Sequence, residues 1–317
     1  MLVFGGGHTT YFGSDVHAFD VASREWRRLT TGFVTGNPRE YGEGAVYETS
    51  TYPDGSPLPP HTYDYVQYDA VGNDYLLLKG QTELGPTVKA APIPHLFNLD
   101  SLSWRHGPRH PSAILNSGGF STWDPKRRIL WGHSGDDGGG NAFVGYSPDS
   151  KNADGTTGHW REFHPNKFPG KANHNTMQYQ PMMDRIVIAL HCRNQLASID
   201  PSEPDRPATA VASQGEKPRI QQFAGLEYAP SLQSLIYYSP LDGAAVYRIT
   251  WGDAADWRIL NRDAKLDPIA DAARQSRHPV NLAHTFGRFR VASFPEFDMA
   301  ILVRHVDTPV YAMRLPT

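Results

Sequence analysis

The sequence predicts an all-β protein assembled from repeated antiparallel sheets, and three observations carry that prediction. Glycine, proline and tyrosine are frequent, at 29, 26 and 15 of 317 residues, as short strands joined by tight turns require. Apolar runs such as ILW at 129–131 and IVIAL at 186–190 have strand length and are far too short to cross a bilayer. One unit, an aromatic residue followed by a turn and then an apolar run, returns five times along the chain.

The five copies are YDAVGNDYLLLKG from Tyr68, WDPKRRILWGH from Trp123, YQPMMDRIVIALH from Tyr179, YAPSLQSLIYYSP from Tyr228 and FPEFDMAILVRH from Phe294. Successive anchors are 55, 56, 49 and 66 residues apart. Each copy reads as a hairpin, and two further strands follow in most units: DVHAFDV then EWRRL, HLFNL then SWRHG, FVGYS then HWREF, AVYRI then DWRIL. Four antiparallel strands per unit, repeated at roughly 50 residues, predict a β-propeller of six or seven blades, because a sheet that cannot bury its own faces must stack on its neighbours. Trp26, Trp104, Trp160 and Trp257 open the fourth strand and are expected to seal one blade against the next.

The reading makes 1–317 a single propeller domain with a long Gly/Pro/Ser/Thr-rich insertion at 31–60. Leu2 to Gly7 matches the second strand of a blade, so the first strand is expected upstream of residue 1. The protein is accordingly expected to be a monomer or one part of a larger multidomain chain.

Composition narrows the partners. A formal net charge of -3, with no basic block, lacks the footprint of a nucleic-acid binder. No stretch reads as a membrane span or a signal peptide. The single cysteine, Cys192, excludes an internal disulfide framework and leaves the compartment open, a secreted or periplasmic location included.

The segment VFGGG at 3–7, then VHAFD at 16–20 with Trp26 six residues beyond Asp20, resembles a kelch-type β-propeller of the galactose oxidase/kelch-like superfamily. The resemblance covers nearly the whole chain and implies fold rather than function, since such propellers serve as enzymes, adaptors and sugar binders.

Histidines supply the chemical signal. Second strands end at His8, Lys79, His133, His191, Pro240 and His305, and first strands start near His61 and Tyr63, Gly118, His174, Phe223 and Arg288, so several histidines distant in sequence are expected at one face. His174 and His191, 17 residues apart across one hairpin, are the leading pair. His8, His61 and His133 follow as substrate-binding candidates, whereas His17, His95, His106, His110, His159, His164 and His278 read as loop or outer-strand residues.

The expected function is carbohydrate chemistry on an acidic polysaccharide or other glycan. Cleavage of a uronate-containing chain by β-elimination requires a cation to neutralise the carboxylate, a base for the adjacent proton and an acid for the leaving oxygen. Arg288 or Lys79 suits the first role, and His174, His191 or Tyr63 the others. The His174 and His191 spacing is similar to that of propeller-shaped ulvan lyases, which use two histidines on one inner hairpin with a tyrosine and an arginine from another blade. Lys79, 16 residues after Tyr63, stands where that pattern has arginine.

Two other readings accompany it. Imidazoles including His133 and His191 have the chemistry to bind Zn²⁺ or copper, and Asp136, Asp137 and Asn141 of GDDGGGN offer oxygens for Ca²⁺. A copper oxidase is disfavoured, because strand alternation sends Cys192 to the side opposite His191. A non-catalytic module that binds a glycan or a protein is the principal alternative.

Overall fold

The computed structural model describes residues 1–4, 13–31, 51–59, 62–78, 93–110, 115, 118–134, 143–163, 174–222, 224–239, 245–261, 285, 287–303 and 309–316. His8, His61, Lys79, Phe223, Pro240, His305, the GDDGGGN loop and most of the 31–60 insertion lie outside them. The chain divides into two compact units, Met1–Phe163 and His164–Thr317, each containing three sheets.

In the first unit, β1 (Leu2–Phe4), β2 (Val16–Asp20) and β3 (Glu25–Arg28) form a three-stranded sheet. Four strands follow in order, β4 (Val66–Asp69), β5 (Asp74–Leu77), β6 (His95–Asn98) and β7 (Ser103–His106). The third sheet is β8 (Phe120–Asp124), β9 (Ile129–His133), β10 (Phe143–Lys151) and β11 (Thr157–Phe163). All pairings within these sheets are antiparallel between sequence neighbours, the four-stranded meander that the repeats predict.

The second unit opens with β12 (Thr176–Gln180), β13 (Arg185–Leu190), β14 (Gln195–Ile199) and β15 (Thr209–Val211). Its next sheet has five strands: β16 (Ser213–Gly215) joins β20 (Ala255–Asn261) in parallel, outside the meander of β17 (Gly225–Ala229), β18 (Ser234–Ser239) and β19 (Ala245–Trp251). The last sheet holds β21 (Phe289–Ser293), β22 (Asp298–Val303) and β23 (Val310–Arg314). The fourth strand of one sheet therefore runs almost directly into an added edge strand of the next, a crossover the repeat pattern did not reveal.

One turn recurs and explains the register. Partners five apart, Asp20↔Glu25, Asp69↔Asp74, Asn98↔Ser103, Asp124↔Ile129, Gln180↔Arg185 and Ala229↔Ser234, close four-residue loops. The last loop residue is left-handed each time, at Arg24, Asn73, Leu102, Arg128, Asp184 and Gln233. A side-chain oxygen at the first position accepts from loop N–H groups, as Asp69 does from Val71 and Gly72 and Asp124 from Lys126 and Arg127. These Asp and Asn residues are turn devices and not metal ligands.

Each unit's core lies between its sheets. Trp160 packs with Leu76, Leu96 and Tyr146, and its Nε1–H donates to the Pro108 carbonyl at 2.8 Å. Trp257 sits against Val187 and Leu196 of the preceding sheet, and Trp104 against Phe4 and Phe97. These three rings seal sheets as expected. Trp26 does not: it is 44% exposed and packs on Phe19 of its own sheet. First strands lie side by side, β4 with β8 and β17 with both β12 and β21. Gly225 permits the last approach, since a Cβ there would meet the Phe289 ring at 2.4 Å.

The 51–59 part of the insertion is packed and not a solvated loop. Tyr52 and Leu58 are buried, and the Ser56 hydroxyl donates to that of Ser14 at 2.7 Å. Two of the histidines read from sequence as peripheral are also interior. His95 is fully buried with its Nδ1 2.7 Å from that of His106, and His110 lies against Trp160. The sequence reading missed this because β6 and the segment before the third sheet face the core and not solvent.

Hairpin turns of adjacent sheets are clamped by charge. The Arg128 guanidinium donates through Nη1 and Nη2 to the two carboxylate oxygens of buried Asp69 at 3.0 and 2.7 Å. Removing the cation leaves a carboxylate in the interior without its bidentate partner. Arg128→Ala is expected to lower unfolding stability by about 3 kcal/mol, measured by urea denaturation, with Arg128→Lys recovering only part of the loss.

Candidate functional site

The second unit gathers polar groups at the end where its first strands begin. β13 ends at Leu190, and His191 to Arg193 turn into one 3-10 turn closed by left-handed Asn194. His191 therefore lies just past the strand, and Cys192 is exposed on the turn and not alternating along β13. Asn175, one residue before β12, faces it: its Oδ1 accepts from the His191 backbone N–H at 3.0 Å and from the ring Nδ1 at 2.8 Å.

That double contact fixes the imidazole. An amide oxygen only accepts, so Nδ1 carries the proton and Nε2 keeps its lone pair. Nε2 stands 3.0 Å from the Gln222 side-chain nitrogen, which donates to it. Burial lowers the His191 pKa from its ordinary value, which favours the neutral ring.

His174 precedes Asn175 and is half-buried with φ +59. The β12–β13 ladder ends at Thr176↔Ala189, so His191 meets Asn175 through side chain and not through strand pairing. Left-handed backbone recurs just before first strands, at Tyr63, Gly118, His174 and Gly287. Glycine occupies two of those positions, whereas Tyr63 and His174 adopt the conformation with a side chain, at the cost such residues carry there.

Arg288 belongs to the same end. Its Nε donates to the Thr285 carbonyl at 3.0 Å, and the Thr285 hydroxyl donates to the Ala224 carbonyl at 3.2 Å, two residues beyond Gln222. Hydrogen bonds thus link Asn175 to His191 and His191 to Gln222, and Ala224 to Thr285 and Thr285 to Arg288.

In the first unit, Tyr63 is half-buried against the core that contains Leu78 and Tyr65. The Tyr65 hydroxyl donates to the His133 carbonyl at 3.2 Å, passing so close to Gly119 that a Cβ there would lie 1.5 Å from it. His133 was expected as a substrate or metal contact. It is fully buried, stacked on Phe120 at 5.1 Å, with Nδ1 2.5 Å from the Ser134 carbonyl, so it is placed as a core residue.

Among the described residues, no group of three or more His, Cys, Asp or Glu side chains is arranged to hold a metal. The metal site expected from His133 and His191 is accordingly not found among them. The residues that sequence reasoning missed are Asn175 and Gln222. Amides carry no periodic or motif signal, and the only hint was that Asn175 sits beside His174 at the start of a first strand.

No family model and no curated protein matches the sequence. Among solved structures, a chain of the nidogen/laminin complex is similar over 99% of this chain and 89% of its own length, at 10% identity and a TM-score of 0.53. The fold is that of a six-bladed β-propeller. A chain of the mitotic checkpoint complex aligns over 96% of this propeller and 82% of itself, at 9% identity and TM-score 0.49. An auxiliary nutrient binding protein from Bacteroides ovatus ATCC 8483 aligns over 82% and 56%, at 12% identity and TM-score 0.46. At such identities the likeness speaks to fold alone, and none of these three is described as a kelch protein or an ulvan lyase.

Burial of His133 holds its pKa down to about 4, below the unfolded value near 6.5. The unfolded chain binds the proton first, so this contribution is complete above about pH 6.5 and is lost as pH falls toward the folded value, about 3 kcal/mol in all. His133→Phe is expected to flatten the pH dependence of urea stability across that window. His174→Gly relieves left-handed strain and is expected to raise stability by about 1 kcal/mol in the same assay.

Proposed function

We propose that this propeller binds a uronate-containing glycan at the His191 end of the second unit and cleaves it by β-elimination. The observation that supports the reading is the orientation of His191: Asn175 holds Nδ1–H, burial favours the neutral ring, and Nε2 is the basic atom. A base in that state at neutral pH suits removal of the proton beside a carboxylate.

In this reading the Nε2 lone pair of His191 takes that proton, and the pair of the broken C–H bond forms the ring double bond as the glycosidic oxygen departs with the C–O pair. His174 returns a proton to the departing oxygen. Arg288 neutralises the carboxylate whose charge grows during proton removal. Burial of His191 predicts a pH profile that falls only below the ordinary histidine range, because protonation of Nε2 removes the base.

One observation favours a binding role without catalysis: Nε2 already accepts from Gln222, which engages the lone pair that proton removal needs. Incubation with polygalacturonate, alginate and hyaluronan, followed by the ultraviolet absorbance of the unsaturated uronate, separates the two. Elimination is expected with at least one polymer and a loss of about 100-fold or more in His191→Ala. Glycan binding that persists in His174→Ala/His191→Ala, with every polymer uncleaved, contradicts the catalytic reading.

A further inference from the structure

Residues 217–222 form a strap between β16 and β17 that crosses the 191–194 turn. Lys217 Nζ donates to the Asn194 carbonyl, and the Ile220 N–H donates to Asn194 Oδ1 at 2.8 Å. The Gln221 N–H donates to the Tyr237 hydroxyl at 2.9 Å, and Gln222 reaches His191. Ile220 and Pro218 are buried beneath it, while Arg219 points out into solvent. The strap is thus fixed at four points and anchored in the core.

Its consequence is electrostatic. Arg193 on the turn and Arg219 on the strap are exposed, and Lys217, two residues before Arg219, is half-buried. No ion pair among the described residues involves any of the three. The only neighbouring acid in the strap sequence, Glu216, is turned away, with Oε2 accepting from the Ile259 N–H at 3.1 Å. Burial lowers the pKa of both Lys217 and His191. In a chain with a net charge of -3, the turn that follows His191 and the strap that crosses it carry three cations with no ion-pair partner among the described residues.

From this placement we infer that Arg193, Lys217 and Arg219 form a cationic subsite that binds the anionic groups of a polysaccharide running past His191. It rests on the glycan reading above for its position beside His191, and it selects polyanionic over neutral chains by charge complementarity. The occupant is a saccharide polyanion because the exposed guanidinium groups, spaced along a strap and a turn, suit repeated carboxylates or sulfates on one flexible chain.

Isothermal titration of the whole protein with polygalacturonate, dextran sulfate and neutral dextran tests it. Binding of at least one polyanion is expected, weakening as salt rises, with none for neutral dextran. Arg193→Gln/Lys217→Gln/Arg219→Gln is expected to weaken that binding at least 10-fold and to reduce its salt dependence, with unchanged circular dichroism. Arg193→Gln/Arg219→Gln, which leaves the Lys217 contact to the turn intact, separates charge from folding and is expected to lose most of the same affinity.

Dextran sulfate bound through these residues, with every uronate polymer neither bound nor cleaved, keeps the cationic subsite and ends the uronate reading. Equal polyanion affinity and salt dependence in wild type and both variants overturns the subsite, as does failure of every polyanion to bind.

Discussion

Two-sided burial of the second strands is the constraint on which the rest depends. β5, β13 and β18 are buried at nearly every residue, because each lies mid-sheet with packed side chains on both faces. Such strands read as continuous apolar runs and offer no solvated face on which to build chemistry. Polar function is thereby displaced to strand ends and to the turns between them. The hairpin ends are already committed to Asp and Asn loop contacts and to the Arg128–Asp69 clamp. The opposite ends, where first strands begin, hold Asn175, His191, Gln222 and Arg288.

The fold was legible because periodicity and turn chemistry agreed. YDAVGNDYLLL announces both a four-residue loop and a buried strand, and the structure forms the loop with Asn73 left-handed and pairs Asp69 with Asp74. What local pattern could not convey was burial imposed by neighbouring sheets. His95 and His110 carry no mark that distinguishes them from exposed histidines, yet both are interior. Trp26 shares its place in the repeat with Trp104, Trp160 and Trp257 but is exposed, because a tryptophan seals a sheet only when another packs over it. The parallel strand β16 was invisible for a related reason: SQG is short and polar, and only its edge pairing with β20 makes it a strand.

The site was partly legible. Register reasoning placed His174 and His191 on one hairpin, and His191 is joined to the residue after His174 by two hydrogen bonds. The same reasoning treated His133 as an equivalent rim residue, although stacking on Phe120 draws it inside. Strand register fixes where along a sheet a residue falls and is silent about whether the next sheet covers it. Amide partners escaped notice because asparagine and glutamine acquire meaning only from what they face. The strap escaped for the opposite reason: Lys217 and Ile220 are distant in sequence from Asn194, and only folding of one segment across another brings them to it.

The account therefore turns on the protonation of one ring, held by an amide oxygen in surroundings that disfavour charge. Long-range nitrogen–proton correlation spectra of ¹⁵N-labelled protein report directly which His191 nitrogen bears the proton, with His191→Gln supplying the assignment. The neutral Nδ1–H tautomer is expected at about pH 7, titrating below the ordinary histidine range. A proton on Nε2, or a ring that remains positively charged at that pH, would contradict it.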